Sequence, residues 1–404
     1  MNKALENIRI LDLSRVLAGP FCTQIFGDLG AEILKVERPK HGDDTRAWGP
    51  PFLECATEQE SAYYLSANRN KKSLAIDLKS EDGQAIIHRL LENTDILIEN
   101  FKVGGLEQYG LSYEQLKDKY PSLIYCSISG FGQTGPAANA PGYDFMAQAF
   151  AGLMAANGDA DKPPIKVGVA LSDIITGLNA AIGILAALNH RHSSGKGQRI
   201  DVALTDCTLA SLSNLAQYYL TCGEVAPRLG NAHSTIVPYQ TFETKDGHIV
   251  IAVGNDTQFI HLAGALGHPE WAEDERFAKN SARVKNRREL IPLVAEIITH
   301  QSTDEWIRIF KTAGVPAGPV NTMDQVFANE QILSREMKIN MPHKVTSQDI
   351  DLVGSPLKLS ETPVAYEQAP PVLGEHTQEI LEKHLGLSEE EIQNLEDKGV
   401  IGRA

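Results

Sequence analysis

Residues 8–36 read IRILDLSRVLAGPFCTQIFGDLGAEILKV, and their pattern decides the fold. Two apolar runs, IRILDL at 8–13 and AEILKV at 31–36, have the length and branched side chains of buried strands, and the stretch 21–29 between them suits a helix. Strand, helix and strand in so short a span make a βαβ unit, whose two strands pair in parallel. Further strand-like runs at 73–78, 96–99 and 123–128 alternate with helical stretches at 83–92 and 113–118. This alternation predicts a large doubly wound, Rossmann-like α/β domain.

Beyond it, small and apolar residues at 173–188 predict a long helix that stops at SSGKGQ (193–198), followed by a strand at 199–204 and a second long helix at 204–220. After Gly223 the texture changes. Two β-like runs at 241–244 and 248–253 are joined by Asp246-Gly247, a strong hairpin signal. Helical stretches at 258–266, 288–298 and 303–313 complete a smaller α+β domain. The expected organisation is therefore a large α/β domain begun over 1–224, a small α+β domain over 225–322, and a segment 323–404 returning to the large domain. In that last segment 323–337, 377–385 and 388–398 read as helices, the third with a Ser388/Glu391 capping box, and 356–364 reads as irregular or extended.

The 404 residues carry 52 acidic against 37 basic side chains, and a net charge of -15 argues against nucleic acid or anionic membrane as a partner. An anionic ligand must then meet a local cationic pocket, and Lys71-Lys72 and Arg287-Arg288 are the short basic clusters on offer. No run approaches the roughly 20 apolar residues that span a bilayer. Residues 1–7 lack the pattern of a secretory signal, so a cytoplasmic location is the expectation. The five cysteines, Cys22, Cys55, Cys126, Cys207 and Cys222, are spread widely without a C-x-x-C pair, so they read as buried free thiols, with neither a disulfide framework nor a metal site. Glu37 closes the second strand where dinucleotide enzymes hold a ribose hydroxyl, but the turn SRVLAGP at 14–20 lacks G-x-G-x-x-G. Nicotinamide or flavin binding is disfavoured.

Several spaced blocks then point further. LDLS (11–14), AGP (18–20), GDLGAE (27–32), KVERP (35–39), Gly42-Asp43 and Arg46 open the series. NRNKKS (68–73), ENF (99–101), SGFG (129–132), GYD (142–144), DIITG (173–177), GQRID (197–201) and LGEHT (373–377) follow in order. Over residues 6–400 the chain resembles the family III CoA-transferases, the CaiB/BaiF family. The tract GNAHSTIVPYQ (230–240) most resembles the members that exchange CoA among dicarboxylic acids, such as the succinate–hydroxymethylglutarate and glutarate enzymes.

The resemblance implies an enzyme that takes CoA from an acyl-CoA, succinyl-CoA or another dicarboxyl-CoA, and gives it to a carboxylic acid. Asp173 falls on the family's catalytic aspartate; by position alone an aspartate there is more commonly a helix cap or a partner for the helix dipole. With a reference pKa of about 3.9 it is expected to be ionised at neutral pH and to attack a thioester without a separate base. The family's CoA contacts carry over onto Val16, Ala18, Arg38, Ile76, Asn100, Phe101 and Tyr143, and Lys71 and Lys72 are additional phosphate candidates. CoA and acyl-CoA are substrates in this scheme, with no tightly bound cofactor and no metal. A dicarboxylate needs a cation for its remote carboxylate, for which Arg15 and His233 are candidates. The family also implies an interlocked homodimer.

Leu17 stands where formyl-CoA transferases carry glutamine, and their glycine-rich closing tract is not evident, so formyl transfer to oxalate is disfavoured. His190 and His192 suit a helix end, and Asp201 and Asp206 suit caps, so none is assigned chemistry. Two alternatives stay open. One is a 2-methylacyl-CoA racemase using Asp173 for proton transfer, although Tyr143 replaces the histidine those relatives use as a base. The other is a non-catalytic CoA-binding protein that keeps the fold.

Overall fold

The computed structural model describes residues 3–54, 59–344 and 349–404, which excludes Cys55. The chain divides into two compact units. The first takes in the chain up to Leu153, Lys166–Gln217 and Gln331–Ala404; the second takes in Met154–Ile165 and Tyr218–Glu330.

The first unit begins as its opening residues predict, with β1 (Arg9–Asp12), α1 (Ala18–Asp28) and β2 (Glu32–Glu37). A short ribbon, β3 (Phe52–Glu54) and β4 (Gln59–Ser61), leads to α2 (Ala62–Leu65) and β5 (Lys71–Ile76). Then follow α3 (Glu81–Leu91), β6 (Ile96–Glu99), α4 (Tyr113–Leu116), β7 (Ile124–Ser129) and α5 (Asp144–Phe150), while α6 (Leu153–Ala156) falls almost wholly in the stretch assigned to the second unit. Next come α7 (Leu171–Ser194), β8 (Arg199–Ala203), α8 (Leu204–Ser211) and α9 (Ser213–Cys222), whose residues from Tyr218 on belong to the second unit.

After the second unit the chain returns through α15 (Glu330–Ser334), the hairpin β12 (Lys338–Met341) and β13 (Ile350–Val353), α16 (Thr377–Leu385), α17 (Glu389–Asp397) and β14 (Ile401–Gly402). Seven strands form one sheet in the order β14-β5-β2-β1-β6-β7-β8, parallel except for β14, which runs antiparallel to β5. Because side chains alternate along a strand, Leu11, Leu34, Leu74 and Leu97 pack on one face with Ile86, Leu90, Ile380, Leu381 and Ile392. Ile10, Ile33, Ile96 and Ile124 pack on the other with Cys22, Phe26, Ala180, Ile184 and Leu204. Each such fully buried aliphatic stabilises the fold by about 1.5–3 kcal/mol.

In the second unit β9 (Tyr239–Glu243) and β10 (His248–Ala252) form the hairpin that Asp246-Gly247 announces, Glu243 opposite His248, and β11 (Ala317–Pro319) extends it. Helices α10 (Asp256–Ala265), α11 (Asn280–Lys285), α12 (Arg287–Ile298), α13 (Thr303–Ala313) and α14 (Met323–Ala328) accompany it, and Phe242, Ile249, Phe259, Trp306 and Phe310 share the core. Arg283 is wholly buried there, its guanidinium 4.3 Å from the Phe259 ring centroid and donating to the carbonyls of Val237 and Phe277.

Four expectations are corrected. The single helix at 204–220 is two, broken where Ser213 adopts φ 40°, and the helix at 323–337 is likewise two short ones. Cys222 is exposed rather than buried. Finally, α7 is longer than the apolar run suggests, and its 24 residues are long and apolar enough to cross a membrane. Yet one face of α7, including Ala180, Ala181, Ile184 and Ala187, is built into the α/β core, as a core helix requires.

A buried ionic network holds the carboxyl ends of β1 and β2. The Lys35 ammonium is fully enclosed and donates to Asp43 Oδ2 at 2.9 Å and to the Ser14 carbonyl at 3.0 Å. Asp43 also accepts from the amide and hydroxyl of Thr45. Burial alone would raise the Asp43 pKa, but Lys35 and the Thr45 hydrogen bonds hold it down at about 2. A depressed folded-state pKa contributes stability present above the ordinary 3.8 and lost as pH falls through about 2. Asp43→Asn leaves the ammonium without its charge partner and is expected to cost about 3–5 kcal/mol at neutral pH. Urea midpoints at successive pH values check this, and the gap between wild type and variant narrows as pH falls through that window.

Candidate active site

The sheet order reverses between β1 and β6: from β1 the chain builds outward through β2 and β5, then returns to β6 on the other side. Such a switch point leaves a crevice beyond the carboxyl ends of the two strands, where doubly wound proteins take ligands. The crevice here is spanned by one side chain. Asn100, just after β6, accepts from the Arg15 amide at 2.9 Å and donates to the Arg15 carbonyl at 2.7 Å. Beside it Val16 holds φ 72°, a left-handed conformation costly for a β-branched residue, about 1–3 kcal/mol. The Asp43 carboxylate accepts the Val16 amide at 3.2 Å and helps keep it there. Gly19 completes the tight turn, since a Cβ there would stand 2.1 Å from Ser14 Oγ.

Most of the carried-over CoA contacts lie at these strand ends. Val16 and Ala18 follow β1, Arg38 follows β2, Ile76 ends β5, and Asn100 and Phe101 follow β6. Arg38 is exposed and pairs with Asp44 at 2.6 Å, while the half-exposed Arg15 guanidinium binds the other oxygen of Asp44. Two guanidiniums sharing one carboxylate leave a net positive charge at the crevice. Tyr143, exposed at the start of α5, follows Gly142, which packs closely on Gly130 just past the carboxyl end of β7.

Lys71 and Lys72 do not fit phosphate recognition as expected. Lys71 is wholly buried, its ammonium held by the Pro20 carbonyl at 2.8 Å, Asn68 at 2.9 Å and Asp12 at 3.5 Å, and burial pulls its pKa down to about 7. Lys72 points to the opposite face of β5 and is paired with Glu32 and Glu379, both at 3.2 Å. Both open β5 at its amino end, away from the carboxyl ends. His233 belongs to the second unit, where its Nδ1 accepts from the Thr235 amide at 3.2 Å and its ring tilts against Tyr239.

Asp173 stands in the first turn of α7. Four residues on, and so on the same face, Gly177 lies against α1: a Cβ there would be 2.6 Å from the Ala18 carbonyl oxygen. This close approach sets Asp173 one turn above the loop that follows β1. Residue 170, the cap position of α7, is alanine and makes no side-chain cap. The cap comes instead from α5, where Asp144 Oδ1 accepts the amides of Ser172 at 2.8 Å and Asp173 at 3.3 Å. Gln148, fully buried, donates to Asp144 Oδ2 at 2.7 Å and accepts from the Val167 amide at 2.9 Å, which ties the approach to α7 onto α5.

The expectation of an ordinary, fully ionised aspartate is corrected. Burial, and then the negative charge of Asp144, push Asp173 up to about 7. Tyr63 faces the same carboxylates. Burial first, then Asp173, Asp144 and Asp43, push its phenol up to about 12, so it remains a neutral hydroxyl. Its ring packs edge-on against Trp48, with centroids 5.2 Å apart. Asp144 was visible in the sequence only as part of the GYD block, and nothing in the pattern of residues 61–66 marks Tyr63. Among the described residues no group of three or more His, Cys, Asp or Glu is placed to hold a metal ion.

The sheet defines a doubly wound α/β protein with a switch-point crevice at the carboxyl ends of its strands. Residues 5–377 match the family model for CoA-transferase family III, and the chain belongs to that family and is a CoA-transferase. It is 44% identical over 399 residues to the human succinyl-CoA:glutarate CoA-transferase, covering 99% of this chain and 90% of that protein. It is likewise 44% identical to the succinate–glutarate CoA-transferase of Agrobacterium fabrum, with 93% and 94% covered. A crystal structure of a CaiB/BaiF family protein from Brucella suis is similar with a TM-score of 0.86 at 45% identity, covering 95% of this chain and all of that one.

Gly177→Ala tests the contact that places the nucleophile candidate. Backbone must move to admit the methyl group, so the variant is expected to lose about 1–3 kcal/mol in urea unfolding and to transfer CoA more slowly than its residual folded fraction explains.

Proposed function

We propose that this enzyme moves CoA between dicarboxylic acids, with succinyl-CoA as donor and a glutarate-like acid as acceptor, through covalent intermediates on Asp173. The observation that carries the mechanism is the Asp173 carboxylate, half-buried one turn above the strand-end loop, in a setting that makes it more basic than a free aspartate. The names of the similar proteins support the substrate class.

In the first step an Asp173 oxygen attacks the thioester carbonyl, the C–S bond breaks, and CoA leaves as thiolate from a mixed anhydride. The thiolate then attacks Asp173 Cγ, the donor acid departs as its carboxylate, and Asp173 carries CoA as a thioester. The acceptor carboxylate displaces the thiolate to form a second anhydride. Attack of the thiolate on the acceptor's acyl carbon frees Asp173. No proton or redox equivalent is consumed, and the thioester energy is conserved. Tyr63 offers a neutral donor near the reacting carboxylate.

The CoA body is assigned to Val16, Ala18, Ile76, Asn100 and Phe101 along the strand ends, with Arg38 on phosphate and Tyr143 as a further contact. Arg15, preset by Asp44, is the candidate for the acceptor's remote carboxylate, and His233 stays a second candidate through its Nε2. Proton abstraction from a 2-methylacyl-CoA is less well supported, because Tyr143 supplies no imidazole beside Asp144.

A homodimer, interlocked as in the family, completes the reading. Leu178, Ile182 and Leu185 form an i, i+4, i+7 stripe on α7 that is 44%, 65% and 41% exposed, and Phe145 and Phe150 on α5 add to the uncovered apolar surface. Sedimentation is expected to give twice the subunit mass; a stable folded monomer would contradict the assignment.

Hydroxylamine added with succinyl-CoA is expected to inactivate the enzyme and leave a hydroxamate on Asp173, readable by peptide mass, and to do neither without acyl-CoA. Asp173→Ala is expected to lower transfer at least ~1,000-fold, with the fold retained. Retained activity in that variant, or modification at a different residue, would remove the covalent scheme.

A further inference from the structure

A carboxylate in the first turn of a long helix normally gains from the free amides and the positive end of the helix dipole, both of which make it more acidic and a weaker nucleophile. In α7 that benefit goes elsewhere. The amides of Ser172 and Asp173 are taken by Asp144, a carboxylate from another helix, which is itself fixed by the buried Gln148. We infer that Asp144 is a positioning residue for the transfer reaction: it spends the amino end of α7 on itself and sets a second negative charge beside the nucleophile.

The surroundings of Asp173 leave that charge unopposed among the described residues. Of the elements packed on the first turns of α7, α5 brings Asp144, and from α2 the neutral phenol of Tyr63 comes within electrostatic reach. From α8 Thr208 donates to Ser172 Oγ at 2.7 Å, and α1 meets α7 through the Ala18 carbonyl. None of these four groups is cationic. The elevated basicity of Asp173 follows from burial and from Asp144 together. One consequence is mechanistic: a more basic carboxylate attacks the thioester more readily, at the cost of being protonated in part at neutral pH. A second is geometric, because the charge that raises the basicity is also the cap that fixes the helix turn carrying the nucleophile.

The inference rests on the covalent role of Asp173, and the test separates the two. The rate of hydroxylamine trapping with succinyl-CoA is measured against pH for wild type, Asp144→Asn and Asp144→Glu, with the modified residue identified each time. Because the nucleophile must be ionised, the wild-type rate is expected to rise with pH through about 7. Asp144→Asn, which keeps an oxygen for the cap but removes the charge, is expected to move that limb down by about one pH unit. Asp144→Glu restores the charge and is expected to bring the limb back toward the wild-type value. A wild-type limb in the ordinary carboxylate range near pH 4 overturns the inference even if no variant folds, as does an Asp144→Asn limb that stays in place. In both of those outcomes a hydroxamate on Asp173 leaves the covalent scheme standing, whereas its absence removes the scheme itself.

Discussion

An ammonium group buried without water must find a carboxylate, and much of the large unit is arranged around that requirement. Lys35 lies in the middle of the sheet with its side chain fully enclosed. An unpartnered charge there would cost several kcal/mol, so the segment after β2 folds back to deliver Asp43 and the turn after β1 delivers the Ser14 carbonyl. Asp43 in turn takes the Val16 amide, and Glu37 accepts both the Asp43 amide and the Arg46 guanidinium. The loop that would meet the ligand is thus shaped by the core beneath it, and its strained residue is held by the same carboxylate that neutralises the lysine.

The amino end of α7 is built on a different logic. Its own cap position is alanine, so the first turn depends on a neighbouring helix for its hydrogen bonds. A cap drawn from elsewhere couples the orientation of α7 to that of α5, and the Gly177 contact couples it to α1. Three elements therefore have to agree before Asp173 is in place. That is a demanding arrangement for the placing of a single side chain.

The sheet was readable because buried parallel strands leave near-continuous apolar runs, and 96–99 agrees with β6 to the residue. The capping box at Ser388 and the Asp246-Gly247 turn were equally plain, being local hydrogen-bonding chemistry. The break at Ser213 was not, because helical periodicity continues across it. Lys71 misled for a related reason: a lysine at the head of a strand looks solvated, and only the fold shows the Pro20 carbonyl, Asn68 and Asp12 closing over it. The DIITG block drew attention to Asp173, but its surroundings were not legible there, since its raised basicity depends on burial and on a carboxylate 29 residues away in the chain.

The outermost strand of the sheet has a consequence for how the molecule is made. β14 pairs with β5, Ile401 against Ile76, and Ile380, Leu381, Ile392 and Ile401 belong to the same core as Leu11 and Leu34. During synthesis the early strands leave the ribosome long before this covering exists, with the second unit's residues still to come. For that interval the nascent chain presents an open, apolar sheet margin, the kind of edge that invites pairing with other chains until translation reaches the closing strand.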